Sequence, residues 1–234
     1  MSEHVVHTLI PFYPFGIDLS ISTPVVFMFG TSIFIAAGLF CLNRSKRFQG
    51  ILSFTFNFVS DSFASNLATK NKLWYSFLLT LFLFVFFSNL TGLLPNGEAP
   101  TSNINVTAAL AVMIFVISHV CGFLIHGVSH IKHLVPAGIP KPMLLFFFPL
   151  EIISQLARPF SLSVRLFANM FAGHQVLTIF IGFVMIMPYI VFKVIPFGGV
   201  FLISMFEIFV SFIQSFIFTY LASFYISDAV SGSH

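Results

Sequence analysis

Apolar residues run almost unbroken from Pro24 to Leu42 and stop at Asn43-Arg44-Ser45-Lys46-Arg47. A helix needs about 20 apolar residues to cross a hydrocarbon core, so 24–42 is the first predicted span, following an N-terminal segment over 1–23. Basic residues beside a span mark its inner side, which starts the chain outside. Glu3 and Asp18, with no basic stretch before an apolar core, argue against a cleaved leader. Over 49–72 the pattern changes: Ile51, Leu52, Phe54, Phe58, Phe63 and Leu67 alternate with Ser, Asn, Thr and Asp61. That mixture suits an amphipathic helix in the membrane interface, held inside by Lys70 and Lys72. Two further spans follow, 73–94 and 106–127, separated by an outer turn over 95–100 whose charge is the acidic Glu98. The next loop, with His126, His130, Lys132, His133 and Lys141 among Pro136, Gly138, Pro140 and Pro142, reads as a basic inner loop.

The last third differs in kind. Residues 143–187 are helical in pattern and apolar, yet they hold Glu151, Gln155, Arg158, Arg165, Asn169 and His174. A helix of that length measures roughly 65 Å, about twice the bilayer core, so it must tilt strongly or bend. Pro188, Pro196 and Gly198-Gly199 predict a break before a second arm over 200–227, which carries Glu207 and Gln214. The expected fold is an all-α membrane protein of five to six helices. It comprises one polytopic membrane domain over 1–234, with an interfacial helix and a long, tilted, antiparallel C-terminal hairpin.

Composition agrees with the pattern: 58% of 234 residues are hydrophobic and 7% charged, a balance that belongs in lipid. A net charge of +3 from scattered Lys and Arg gives no footprint for nucleic acid. The 35 Phe against one Trp reflect a compositional bias and point to no function. Cys41 and Cys121 fall inside apolar stretches and read as small apolar residues.

Ionisable groups at bilayer depth cost about 2.5–3.5 kcal/mol on insertion scales and point to function. Glu151, Gln155, Arg158, Arg165 and Asn169 follow one another at steps of four, three, seven and four residues, which sets them on one helix face beside Ser154 and Ser161. Glu207, Ser211, Gln214 and Thr219 form a matching strip on the second arm. Ser161, Ser211 or Thr219 taken singly are as well explained as hydrogen-bonding fasteners between helices. Arg165 is not. Its guanidinium stays charged, so it cannot relay protons, but it favours the ionised form of any carboxylate brought near. At three and four residues its neighbours are Ser161, Leu162, Ala168 and Asn169, so its counter-ion comes from Glu207 on the facing arm or from another subunit. His174 and Glu207 can titrate and either relay protons through water or fasten the two arms as a satisfied pair.

Other chemistries find little support. His126, His130 and His133 at helical spacing lack a Cys or carboxylate partner in sequence. The chain has no phosphate-cradling Gly-rich loop ending in Lys-Ser or Lys-Thr, so neither nucleotide nor any cofactor is expected. Besides His174, His119 is the one His central to a predicted span, which is too few for haem ligation.

Three segments carry a family resemblance. Ser161-Leu162-Ser163-Val164-Arg165-Leu166-Phe167-Ala168-Asn169-Met170-Phe171-Ala172-Gly173-His174 resembles the signature of subunit a of the F-type ATP synthase. Phe87-Ser88-Asn89-Leu90-Thr91-Gly92-Leu93-Leu94-Pro95 resembles the end of that family's second span, and the stretch from Glu207 through Gln214 to Thr219 its last helix. The resemblance covers about 20–228. It implies a proton-translocating stator subunit that is not catalytic by itself and sits in an energy-coupling inner membrane, bacterial or mitochondrial. Its implied partners are a ring of c subunits, peripheral-stalk subunits such as b, and lipid. It further implies that Arg165 meets each ring carboxylate and blocks a leak between two offset half-channels. Gln214 would lie close to Arg165, while Asn169, Glu151, Ser161, His174 and Glu207 would line the half-channels. Many bacterial members resemble this pattern with the His174 and Glu207 residue types exchanged; the order here, with Asp228 near the end, is similar to the alphaproteobacterial and mitochondrial branch. Gly92 stands where some members carry a carboxylate.

Two other functions compete with this one. A secondary transporter predicts inverted repeats with broken helices in both halves, whereas the polar residues here crowd into the C-terminal half. A respiratory-complex subunit with a quinone or haem site needs paired intramembrane His or Lys-rich helices, which the sequence lacks.

Overall fold

A computed structural model describes residues 8–10, 21–44, 49–63, 72–94, 97–127, 141–187 and 189–231. Six helices make up the body: α1 (Thr23–Arg44), α2 (Gln49–Phe63), α3 (Lys72–Leu90), α4 (Ile104–His126), α5 (Lys141–Ile186) and α6 (Ile190–Ser231). All but α2 are long and apolar enough to cross a membrane. Ahead of them lies a two-stranded antiparallel ribbon, β1 (Thr8–Ile10) and β2 (Ile21–Ser22), in a segment where the sequence pattern predicted no strand.

At 15 residues, α2 spans roughly 22 Å, short of a bilayer core of about 30 Å. It buries Val59 while Asn57 and Asp61 stay exposed, as an interfacial helix does. Its described end is Phe63; of the rest of the predicted stretch to Lys72, residues 64–71 lie outside the described residues and Lys72 opens α3, and also outside lie Lys46 and Arg47, Pro95 and Asn96, the loop with His130, Lys132 and His133, and Pro188.

The turn between α3 and α4 consists of two 3-10 turns, Thr91–Leu93 and Pro100–Ser102. Asn103 then caps α4 by accepting from the Asn105 amide at 2.9 Å. At the other end α4 stops on Gly127, whose φ of 57° is accessible to glycine without a Cβ clash. His126 Nε2 lies 2.9 Å from the Val230 carbonyl, tying the end of α4 to the end of α6.

The two long helices form the predicted antiparallel hairpin. Arg158 pairs with Asp228, Asn169 with Gln214, Gly173 faces Glu207 and Phe180 faces Gly199, so partners recede along α6 as they advance along α5. The second arm is longer than the sequence pattern suggested: α6 begins at Ile190 and continues through Pro196, Gly198 and Gly199. Pro149 and Pro159 likewise lie inside α5. A proline removes one backbone hydrogen bond, but packing against neighbouring helices lets a membrane helix continue through it. Packing along the whole hairpin outweighs the local break signal.

The hairpin packs against α4, and α3 packs on α6. Leu78, Phe82 and Val85 from α3, Ala111 and Ile114 from α4, Leu162 and Leu166 from α5, and Phe218, Ala222 and Ile226 from α6 form the core. Between α4 and α5, the Thr107 and Ser163 hydroxyls meet at 3.2 Å within it.

Candidate functional site

Because 158, 161, 165 and 169 share one face of α5 while 162, 166 and 170 turn inward, the polar stripe and the core stripe alternate around one helix. Leu162, Leu166 and Met170 are buried, whereas Ser161, Arg165 and Asn169 are exposed. Around Arg165 the surface is built of small side chains: Ala157, Ser161, Ala168 and Ala172 are all exposed. Such a face lets another helix approach closely.

Arg165 has no hydrogen bond or ion pair among the described residues. Glu207, one of its two candidate counter-ions, is not paired with it. On α5, Glu207 lies against Gly173, one turn beyond Asn169; a Cβ at Gly173 would fall 2.5 Å from Glu207 Oε1. The arms meet beside Arg165 through a different bond, Asn169 Nδ2 donating to Gln214 Oε1 at 2.9 Å. Gln214 is buried with Ser211, Ser215 and Thr219 on the inner face of α6. Ser215 and Thr219 bond to carbonyls of their own helix, so Thr219 is no fastener between helices.

Toward the turn that joins α3 to α4, the seam opens into a cavity of about 10 Å³ lined by Asn89, Gly92, Ala99, Asn169, Met170, His174, Glu207 and Ser211. That is the lower limit for one water molecule. Its walls are polar and incompletely satisfied: Glu207 Oε1 and Asn89 Nδ2 are buried without a hydrogen-bond partner among the described residues. Leaving such a group unpaired costs about 1–3 kcal/mol, which marks a place built for something polar. His174 and Glu207 line this cavity together, but no hydrogen bond joins them among the described residues, so they are not the satisfied fastening pair. Thr101 Oγ1 donates to Asn89 Oδ1 at 2.6 Å, which turns the Asn89 amide nitrogen away from Thr101.

Toward the other end of the hairpin the polar groups are satisfied within the chain. Gln155 Nε2 donates to Glu151 Oε1 at 2.9 Å along α5. Arg158 Nη1 meets Asp228 Oδ2 at 3.2 Å and its guanidinium lies 5.5 Å from the centre of the Tyr225 ring. His119, on α4, lies 3.0 Å from the Phe115 carbonyl. Among the described residues no group of three His, Cys, Asp or Glu is placed to hold a metal ion.

The structure thus gathers Asn169, His174, Glu207 and, through one bond, Gln214. It leaves Arg165 and Ser161 on the outer face and Glu151 at the far end of the stripe. The sequence pattern assigned Asn89, Thr101 and Asp228 to no contact, and Ser211 only to the α6 strip or to fastening the helices. Asn89 stood inside a recognised segment, and Ser211 inside the α6 strip. Thr101 gave no signal, because its partner lies across a turn.

Comparison with known proteins places the chain in a family. The family described as ATP synthase A chain matches residues 19–227. The chain is 35% identical to ATP synthase subunit a of Mesorhizobium japonicum, over 97% of this chain and 94% of the relative. It is 35% identical to that of Rhodospirillum rubrum, over 99% and 98%. It is 36% identical to that of Pelagibacter ubique, over 100% and 98%.

Proposed function

The chain belongs to the ATP synthase A chain family, and from that premise we propose that it is the proton-translocating stator of the membrane sector, set against a ring of c subunits in an energy-coupling inner membrane. The observation that carries this reading is the exposed Arg165 guanidinium, without a counter-ion among the described residues, on a helix that otherwise belongs in lipid. A bare cation there is costly, and a carboxylate presented by a partner is what offsets the cost.

The chemistry follows from charge and geometry. A ring carboxyl group protonated from the outer side is carried round by the ring and comes to Arg165 from the Ser161 side. There the guanidinium favours the ionised form, so the proton leaves into the half-channel lined by Ser161 and Glu151. Being permanently charged, Arg165 cannot carry that proton onward, and its field repels protons that would cross directly between the two sides. Asn169 and Gln214, bonded to each other at 2.9 Å, hold the two arms in register beside it. His174 and Glu207, in the polar cavity next to the turn between α3 and α4, line the outer half-channel and relay protons through water. Glu151 and Ser161 line the inner one. ATP is made elsewhere in the complex, and this chain couples proton flow to rotation. Continuous α5 and α6, unbroken at their prolines, support this reading over a transporter with broken helices.

Replacing Arg165 by Ala tests the reading. In inverted vesicles carrying the complete enzyme, ATP synthesis is expected to fall to background while the ring still copurifies. Arg165→Lys is expected to fail in large part, since a point charge does not reproduce the planar fork. Full synthesis by Arg165→Ala would refute the assignment.

A further inference from the structure

Arg165 is not the only arginine on its face of α5. Arg158 lies two turns earlier, about 10 Å away along the axis and within about 20° of the same direction. The two differ in what surrounds them. Arg165 has no partner among the described residues, whereas Arg158 is held by Asp228 at 3.2 Å and covered by the Tyr225 ring at 5.5 Å. Both holding groups come from the last turns of α6, past Gln214 on that arm and level with the stretch of α5 between Ser161 and Glu151. The pair is part-buried, with side-chain exposures of 28% and 21%.

A ring carboxylate sweeping this face would meet two guanidinium groups in succession if both were bare. Arg158 would compete with Arg165 for the ionised carboxylate, because it offers the same charge and the same planar fork. We propose that Asp228 is a positioning residue: by neutralising Arg158 and folding it against Tyr225, it leaves Arg165 as the arginine of α5 that ring carboxylates engage. This rests on the reading of Arg165 as the ring-facing cation. It adds that the selectivity between two arginines on one face resides in a carboxylate contributed by the partner helix.

The proposal makes Asp228 dispensable once Arg158 is gone, which no proton-carrying role allows. In the complete enzyme, Asp228→Asn is expected to slow ATP synthesis and ATP-driven proton pumping at least about tenfold, with the ring still bound. Adding Arg158→Gln to Asp228→Asn removes both charges, the second isosterically and the first with a shorter neutral polar group, and is expected to restore both rates to within about threefold of the unaltered enzyme. Three results would overturn the proposal: unaltered rates in Asp228→Asn, a double variant as slow as the single one, or loss of the ring from Asp228→Asn. The Arg165→Ala measurement remains independent. If that variant is inactive and the double variant is not rescued, the stator reading stands and this inference alone falls.

Discussion

Gly173 is the position where one added methyl group reports most directly on the proposed outer path. Its absent Cβ leaves room for the Glu207 carboxylate, and the group that an alanine would strike is the end of a flexible side chain. Gly173→Ala therefore moves the carboxylate and leaves the helices together. Passive proton conductance of the membrane sector should drop about fivefold, the equivalent of ~1 kcal/mol in barrier, with assembly unchanged. Glu207→Gln should lower it at least as far. Normal conductance in both variants would detach Glu207 from the path. What sequence showed at this scale were the identities of these residues and the face each occupies, because helical periodicity fixes both. Asn89 meeting Thr101 and Arg158 meeting Asp228 were not visible, since each pair joins residues whose closeness depends on how separate helices and turns pack.

Local signals decide where an element starts only when packing does not overrule them. Pro196 with Gly198 and Gly199 has the composition of a break, yet α6 passes through all three. One of these glycines shows why the arm stays docked there. A Cβ at Gly199 would fall 2.5 Å from Phe180 Cε1, whereas a Cβ at Gly198 would meet nothing within 4 Å. The Phe180 ring thus packs directly on the α6 backbone, and Gly199 is a contact between the arms instead of a hinge. Gly199→Val forces a stiff ring aside and should destabilise the hairpin by about 1–3 kcal/mol. Gly198→Ala removes a helix-weakening glycine at an open position and should be neutral or stabilising by up to ~1 kcal/mol. Thermal unfolding of the purified complex would separate the two, and equal midpoints would show that the Phe180 contact contributes nothing.

Across the whole molecule, apolar surface faces outward in more than one direction, and lipid and ring subunits each have a claim on it. On α4, Val112, Val116, Val120 and Leu124 lie at four-residue spacing and are exposed, Leu124 at 81%. They are bulky, as lipid-facing side chains can be without penalty. The face around Arg165 is small-residue surface instead, and lipid does not require that, because acyl chains conform to any contour. A rigid neighbour that must slide past at close range does require it. This difference supports the proposed arrangement, with α4 outward to lipid or an accessory subunit and α5 toward the ring. A tryptophan at each place tests the assignment. Ala168→Trp puts a large ring in the path of the c subunits and should cut ATP synthesis more than about tenfold or expel the ring from the complex. Leu124→Trp adds similar bulk to the α4 surface and should leave synthesis within about twofold. Were Ala168→Trp as active as Leu124→Trp, the small residues beside Arg165 would have no close partner to accommodate, and the ring would have to engage the chain along another face.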